Sequence, residues 1–216
     1  MSFINFIGKW INVFGLNQLN SILLKLEPLY RSKIICPKQS DVFNAFHFCN
    51  YDDCKVVFLG QDPYPQKDVA TGILFANRKD KSPISPSLQV VKEACMKSSQ
   101  EEEFDPTLLK WCNQGCLMLN SALTVECNKP QSHALIWRPF ISSFLLNFSR
   151  AETGIIYVLM GNNARSFRPY INETYNTVIE TYHPAYYARN NEDMPPEIFV
   201  HINELLIDKY GIPIKW

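Results

Sequence analysis

The chain has 216 residues, of which 46% are apolar and 19% are charged. This length and apolar content suit one compact domain with its own core, so we predict a single domain over residues 1–216. Lys and Arg together number 21, as do Asp and Glu, which excludes a strongly basic protein and confines any nucleic-acid surface to a local patch.

The first part of the chain carries two helix signals. A helix with one buried stripe is predicted by four leucines and isoleucines at helical spacing: Leu19, Ile22, Leu23 and Leu26. Pro28 should then disturb this helix, because proline removes a backbone donor. Asp41 stands before the apolar segment 42–46 and predicts the N-terminal cap of a second helix.

Four short apolar runs predict buried strands over residues 56–59, 117–119, 155–160 and 177–181. Because these runs are continuous rather than alternating, they indicate a parallel sheet covered on both faces. Helical patterns lie between them, and the last helix begins near Pro196 and ends at Gly211. Strands that alternate with helices predict an α/β fold, a three-layer α/β/α domain with a central, mainly parallel four-stranded sheet.

The cysteine pattern argues against disulfides and metal sites. Seven cysteines are an odd number, and none forms a C-x-x-C pair, so we expect free thiols in a reducing intracellular compartment, either the cytoplasm or a eukaryotic nucleus. The closest pair, Cys112 and Cys116, lacks a second pair that would complete four ligands. We predict no metal, no other cofactor and no membrane segment, since the apolar opening stretch is too short to span a bilayer.

Polar residues follow the predicted strands, where a parallel sheet places its ligands. The four strand-end segments begin with Gly60-Gln61-Asp62, Asn120-Ser121, Gly161-Asn162 and Tyr182-His183. Asp62 alone would be an ordinary turn residue, Asn120 an Asx-turn and His183 the end of a strand. Together, however, a carboxylate, an amide and an imidazole at one sheet edge can converge on a flat polar ring.

With these strand ends, the chain resembles the main family of uracil-DNA glycosylases, including its divergent viral members. The matching segments cover most of the chain: residues 41–46, 55–64, 72–75, 85–88, 111–125, 131–133, 161–162, 183–187 and the C-terminal region. The resemblance implies an enzyme that flips uracil out of DNA and hydrolyses its N-glycosidic bond, leaving an abasic site. It implies single- and double-stranded uracil-containing DNA as the substrate, and a monomer.

The resemblance also implies roles for ten residues. Asp62 and His183 would be catalytic, with Asp62 orienting the attacking water and His183 acting as a neutral imidazole. The uracil pocket would be formed by Gln61, Tyr64, Phe75 and Asn120, and the DNA contacts by Ser87, Gly161, Asn162 and Tyr187. Tyr187 would enter the vacated base stack, although the neighbouring Tyr186 is an alternative. Arg78, Lys79, Lys81 and Arg189 are further candidates for phosphate contacts.

The residue types suit this chemistry. The Asn120 amide can accept from the uracil N3–H and donate to O4, whereas cytosine inverts both partners. Rejection of cytosine should therefore require contacts that stop the amide from rotating. Tyr64, held by a stiff Asp-Pro link, can form a wall against the methyl group of thymine.

Three positions depart from the family pattern. Pro65, Ala185 and Asn162 stand where His, Ser and Ser are usual, so the rate and the DNA affinity should be lower than is typical. An alternative function is a DNA-binding replication accessory protein with secondary glycosylase activity, and further possible partners are replication proteins or a proteinaceous glycosylase inhibitor. Excision of other damaged bases is disfavoured by Tyr64 and Asn120.

Overall fold

The computed structural model describes residues 6–79, 83–98 and 103–216. The strands are β1 (Ile35–Cys36), β2 (Val56–Gly60), β3 (Cys116–Asn120), β4 (Val125–Glu126), β5 (Ile156–Met160) and β6 (Thr177–Thr181). The helices are α1 (Leu16–Ser32), α2 (Asn44–Phe48), α3 (Pro86–Ser98), α4 (Leu109–Cys112), α5 (Ala134–Ala151), α6 (Gly161–Arg165), α7 (Pro184–Asn190) and α8 (Glu197–Tyr210). Short 3-10 helices cover Gly8–Asn12, Gln39–Asp41, Tyr51–Asp53 and Arg168–Tyr170.

The main sheet is parallel and has the strand order β3-β2-β5-β6. Its register aligns the carboxyl ends of the strands, because Gly60 lies opposite Asn120 and Met160 lies opposite Thr181. The predicted three-layer fold with a parallel four-stranded sheet is therefore confirmed. A separate antiparallel pair, β1 with β4, lies outside this sheet.

The strand order creates a crevice at one edge of the sheet. From β2 the chain proceeds to β3 on one side and then crosses to β5 on the other side. The connections therefore leave β2 and β5 in opposite directions, and such a reversal opens a ligand site at the carboxyl ends of the strands. The segments after β2 and β5 begin with Gln61 and Gly161, two residues of the predicted site.

Alternate strand residues face two separate cores. Val57 and Leu59 point towards α1 and α5, whereas Val56 and Phe58 point towards α3 and α8. One face of α5 is buried in the first of these cores, through Trp137, Phe140, Ile141, Phe144, Leu145 and Phe148. No helix within the described ranges combines the length and the apolar character needed to cross a bilayer. All seven cysteines are free thiols.

Two details of the first helices differ from the prediction. Helix α1 continues through Pro28 to Ser32, and Leu23 is 39% exposed instead of buried. Pro28 lies on the exposed side of the helix, where water can satisfy the carbonyl that has lost its donor.

The predicted Asp41 cap is also wrong. Helix α2 begins at Asn44, and no side chain caps it. The Asp41 carboxylate instead accepts a hydrogen bond from Arg78 at 3.0 Å. The Asp41 carbonyl lies so close to Gly72 that a Cβ there would be 1.7 Å from it, which ties this segment to the loop after β2.

Candidate active site

A cavity of about 250 Å³ lies at the carboxyl ends of β2 and β3. Seven of the predicted site residues line it: Gln61, Asp62, Tyr64, Phe75, Ser87, Asn120 and His183. They come from segments that are far apart in the sequence, and the aligned strand ends bring them together. The cavity therefore presents a carboxylate, an amide and an imidazole to one small volume.

Asp62 is held in place by a backbone donor. Its Oδ2 accepts a hydrogen bond from the Gln131 N–H at 2.6 Å. Burial raises the pKa of Asp62 above the usual range, while the hydrogen bonds from the Gln131 backbone and the Gln61 side chain lower it in part. Asp62 is thus an oriented carboxylate that takes up a proton at a higher pH than an exposed aspartate does.

The His183 ring is fixed in one tautomer. Its Nδ1 accepts a hydrogen bond from the Ala185 N–H at 3.1 Å, so the neutral ring carries its proton on Nε2. Burial, followed by the positive charge of Arg189, lowers the pKa of His183 to about 4. At neutral pH, His183 is therefore an uncharged imidazole with an N–H available to donate.

The Asn120 amide is buried and free to bind a ligand. The residue is only 5% exposed, and its Oδ1 has no hydrogen-bond partner among the described residues. Leaving a buried polar atom unpaired is costly, so such an atom calls for a functional explanation. Within the described part of the chain, Oδ1 therefore makes none of the hydrogen bonds that were expected to stop the amide from rotating.

Tyr64 and Phe75 form an aromatic side of the cavity. The Tyr64 hydroxyl donates to the Phe75 carbonyl at 3.0 Å and accepts a hydrogen bond from Ser85. Burial raises the pKa of Tyr64 to about 12, so the phenol stays neutral. Phe75 has a φ of 62° and packs edge-on against His183, with ring centroids 5.4 Å apart. Both rings are thus held rigidly.

Comparisons with known proteins agree with this geometry. Residues 46–207 match the model of the uracil DNA glycosylase superfamily. The chain belongs to this superfamily. It is 35% identical over 196 residues to a uracil-DNA glycosylase of Buchnera aphidicola, covering 89% of this chain and 88% of that protein. It is 33% identical over 187 residues to that of Francisella tularensis subsp. novicida, covering 85% of this chain and 84% of that protein.

Solved structures from mimivirus share the fold. The mimivirus uracil-DNA glycosylase superposes with a TM-score of 0.78 at 22% identity, covering all of this chain and 93% of that one. A mimivirus UNG variant solved in complex with UGI superposes with a TM-score of 0.82 at 24% identity, covering 92% of this chain and 82% of that one. Together with the curated relatives, the family assignment identifies an enzyme that excises uracil from DNA in base-excision repair.

Gly161 allows the uracil-DNA glycosylase site to close around His183. Its φ is +88°, and a Cβ at this position would lie 2.9 Å from the His183 Cβ. A side chain here would therefore displace the imidazole as well as strain the backbone. Gly161 and Asn162, both predicted DNA contacts, line a groove beside the cavity and not the cavity itself.

The remaining predicted DNA contacts differ in accessibility. Ser87 is 9% exposed and faces the cavity. Tyr187 is 6% exposed and belongs to the core that also contains residues of α3 and α8, so entering a base stack would require its ring to leave that core. Tyr186 is half-buried and lines the groove. Of the basic candidates, Arg189 lines both cavity and groove, Arg78 pairs with Asp41, and Lys81 lies outside the described residues.

Sequence reasoning missed two contributors to this uracil-DNA glycosylase site. Gln131 acts through its backbone N–H, which no side-chain pattern reveals, at a left-handed φ of 65°. Ser85 orients the Tyr64 hydroxyl, and its only signal was its place in the segment 85–88. Within the described part of the chain, no group of three or more His, Cys, Asp or Glu side chains is arranged to hold a metal ion.

Proposed function

We propose that the cavity binds the extruded uracil and that Asp62 and His183 act on opposite sides of the scissile bond. The observation that carries this proposal is the buried Asn120 Oδ1, which has no hydrogen-bond partner among the described residues and shares one cavity with an oriented carboxylate and a neutral imidazole. The bond lies inside the base stack in duplex DNA, so the nucleotide must first be flipped out. Phe75 then offers a face to the ring, and Asn120 pairs with N3–H and O4.

Cleavage of the N-glycosidic bond separates charge, and each of the two catalytic residues stabilises one of the charges that form. As the N-glycosidic bond breaks, its electron pair leaves with uracil and the sugar becomes positive. Asp62, held by the Gln131 N–H, stabilises the sugar cation and orients the water that attacks C1′. His183 donates from Nε2 to the uracil O2, where the negative charge grows. The products are free uracil and an abasic site.

Tyr64 is proposed as the wall that excludes thymine, and its replacement tests the pocket. A soft apolar pocket discriminates one methyl group by only ~1–3 kcal/mol, so a rigid wall is needed. Tyr64→Ala should admit thymine, and alkali-labile sites should appear at thymine in an oligonucleotide that wild type leaves intact. The measurement compares release of uracil and of thymine by the two proteins.

The matched control is Tyr64→Phe, which keeps the ring but removes the hydroxyl that bonds Phe75 and Ser85. This variant should still reject thymine. Unchanged selectivity in Tyr64→Ala would mean that another residue forms the wall.

The DNA strand is proposed to run over the groove that adjoins the cavity. Arg138 and Arg189 line this groove, and its described lining residues include no carboxylate. A neutral chain thus presents a local basic surface, which suits phosphates. Ser87, Gly161, Asn162 and Tyr187 are the proposed contacts that position the strand.

A proteinaceous inhibitor is a further proposed partner. Two solved mimivirus UNG variants are complexes with UGI, and their fold matches this chain. A protein whose carboxylates occupy the phosphate positions would be complementary to the same basic groove. The alternative function is that of a replication accessory protein. The described residues favour catalysis over this alternative, because the cavity keeps Asp62, Asn120 and His183 together.

A further inference from the structure

A pair of stacked tyrosines lies beside the cavity. The rings of Tyr182 and Tyr186 are stacked with centroids 4.6 Å apart and an interplanar angle of 18°. Tyr182 is 52% exposed, so about half of its surface is open to a ligand. Beside this platform, Arg165 lies 5.3 Å from the centre of the Tyr182 ring and forms an ion pair with Glu180 at 3.7 Å.

The platform belongs to the same groove that continues the uracil cavity. The groove has a volume of about 980 Å³, and both tyrosines line it. It shares Gln61, His183 and Arg189 with the uracil cavity. Tyr182 immediately precedes His183, so their Cα atoms are about 3.8 Å apart. Because His183 lines both the cavity and the groove, a strand whose uridine sits against His183 can continue along the groove that the two tyrosines line.

The charge around the platform suits a nucleic-acid strand. Arg138 is anchored at the groove wall by two hydrogen bonds to Ser166 and lies 4.5 Å from the Phe167 ring. Arg189 forms no ion pair with any residue in the described ranges and is exposed. An aromatic surface bordered by arginines is the arrangement that binds single-stranded DNA without reading its sequence.

Resting on the proposed function, we propose that Tyr182 and Tyr186 form a subsite that stacks an unpaired base of the substrate strand, next to the extruded uridine. In a duplex the neighbouring base remains paired and stacked on its own helix, so the subsite is filled only on single strands or beside a mismatch. The subsite therefore contributes to activity on unpaired DNA, and its contribution is smaller on a fully paired duplex.

A purely structural explanation of the platform makes a different prediction. Tyr182 stands just before α7 and packs edge-on against Tyr187, with ring centroids 6.2 Å apart. This contact would be a hydrophobic staple that stabilises the start of α7. In that case its loss would weaken the fold and reduce activity equally on every DNA substrate.

The test is a double-mutant cycle in which the Tyr182 ring and one base of the substrate are removed separately and together. kcat/KM for uracil release is measured on single-stranded oligonucleotides in which the base on the 5′ or the 3′ side of uridine is present or replaced by an abasic analogue. The kcat/KM of wild type should fall roughly five- to hundredfold when the base on one of the two sides is missing, which is the range expected for one stacked base. Tyr182→Ala should be slower on the intact strand by a similar factor and insensitive to the abasic replacement.

Three further proteins and a duplex complete the experiment. Tyr182→Phe keeps the ring and should retain the sensitivity, whereas Tyr182→Leu keeps an apolar staple without a stacking ring and should lose it. The matched control Tyr175→Ala removes a tyrosine that is 64% exposed just before β6, away from the groove, and should behave as wild type. On a paired duplex, Tyr182→Ala should be closer to wild type than it is on the single strand.

Equal losses on single and double strands, or a wild type indifferent to both abasic replacements, would overturn the stacking subsite. Retention of the abasic sensitivity by Tyr182→Leu would do the same. Failure of the proposed function would look different, because wild type would then release no uracil from any of these strands.

Discussion

Asp62→Asn should slow uracil release by about 10²- to 10³-fold with little change in the fold. The substitution keeps the shape of the side chain but removes the negative charge that faces the sugar cation. Loss of one such stabilising group costs ~3–4 kcal/mol of transition-state free energy. Single-turnover rates with a uracil-containing oligonucleotide measure this effect, because they separate the chemical step from product release.

The pH dependence gives this prediction a second readout. Burial raises the pKa of Asp62, and the anion is the active form, so wild-type activity should fall on the acidic side at a pH above the usual aspartate range. The rate of Asp62→Asn should be low at every pH and should not show this fall on the acidic side. The matched control is Asp208→Asn on the exposed face of α8, which should behave as wild type. A near-normal rate for Asp62→Asn would remove Asp62 from catalysis.

His183→Leu should reduce the rate by a comparable factor, about 10²- to 10³-fold. Leucine fills similar space without an N–H, so the negative charge on the departing uracil would lose its donor. Uracil release in single turnovers is again the measurement, and His201→Leu on the exposed side of α8 is the control. The Asp62 and His183 effects should not add fully, because both residues act on one transition state.

The protonation state of His183 can be measured directly. Its pKa of about 4 and the Ala185 N–H bond to Nδ1 mean that the ring stays neutral above about pH 5. The imidazole NMR signals of His183 should therefore show no titration between pH 5.5 and 8. A titration near the usual histidine value, around 6.5, would contradict the neutral donor and favour a charged imidazole.

Much of the fold was predictable because three of the four strands of the main sheet are fully buried. Continuous apolar runs located β2, β3 and β5 to within a residue. The strand β6 was also located, but it was wrongly expected to be buried: only Thr181 is buried, and Thr177 and Glu180 are exposed at the edge of the sheet. The helices were less certain because partners far away in the sequence decide their ends. Asp41 has the chemistry of a cap, but Arg78, 37 residues further on, takes its carboxylate.

The site was predictable where it depends on side-chain chemistry and the aligned strand ends. Asp62 and His183 follow β2 and β6, Asn120 ends β3, and the register of Gly60 with Asn120 brings two of these strand ends together. The sequence could not reveal the Gln131 N–H, because a backbone donor leaves no residue signature. Nor could it reveal that Tyr187 packs in the core while Tyr182 is exposed beside the site, since the two tyrosines have the same intrinsic propensities.

The central claim is that one cavity selects uracil and cleaves its bond to the sugar. The most direct measurement incubates wild-type protein with three single-stranded oligonucleotides that differ in one position, which carries uracil, thymine or cytosine. Free uracil and an alkali-labile site are expected in the first oligonucleotide only, with no strand break before alkali is added. Intact uracil in a strand that the protein nonetheless binds would contradict uracil excision and point to an accessory DNA-binding role.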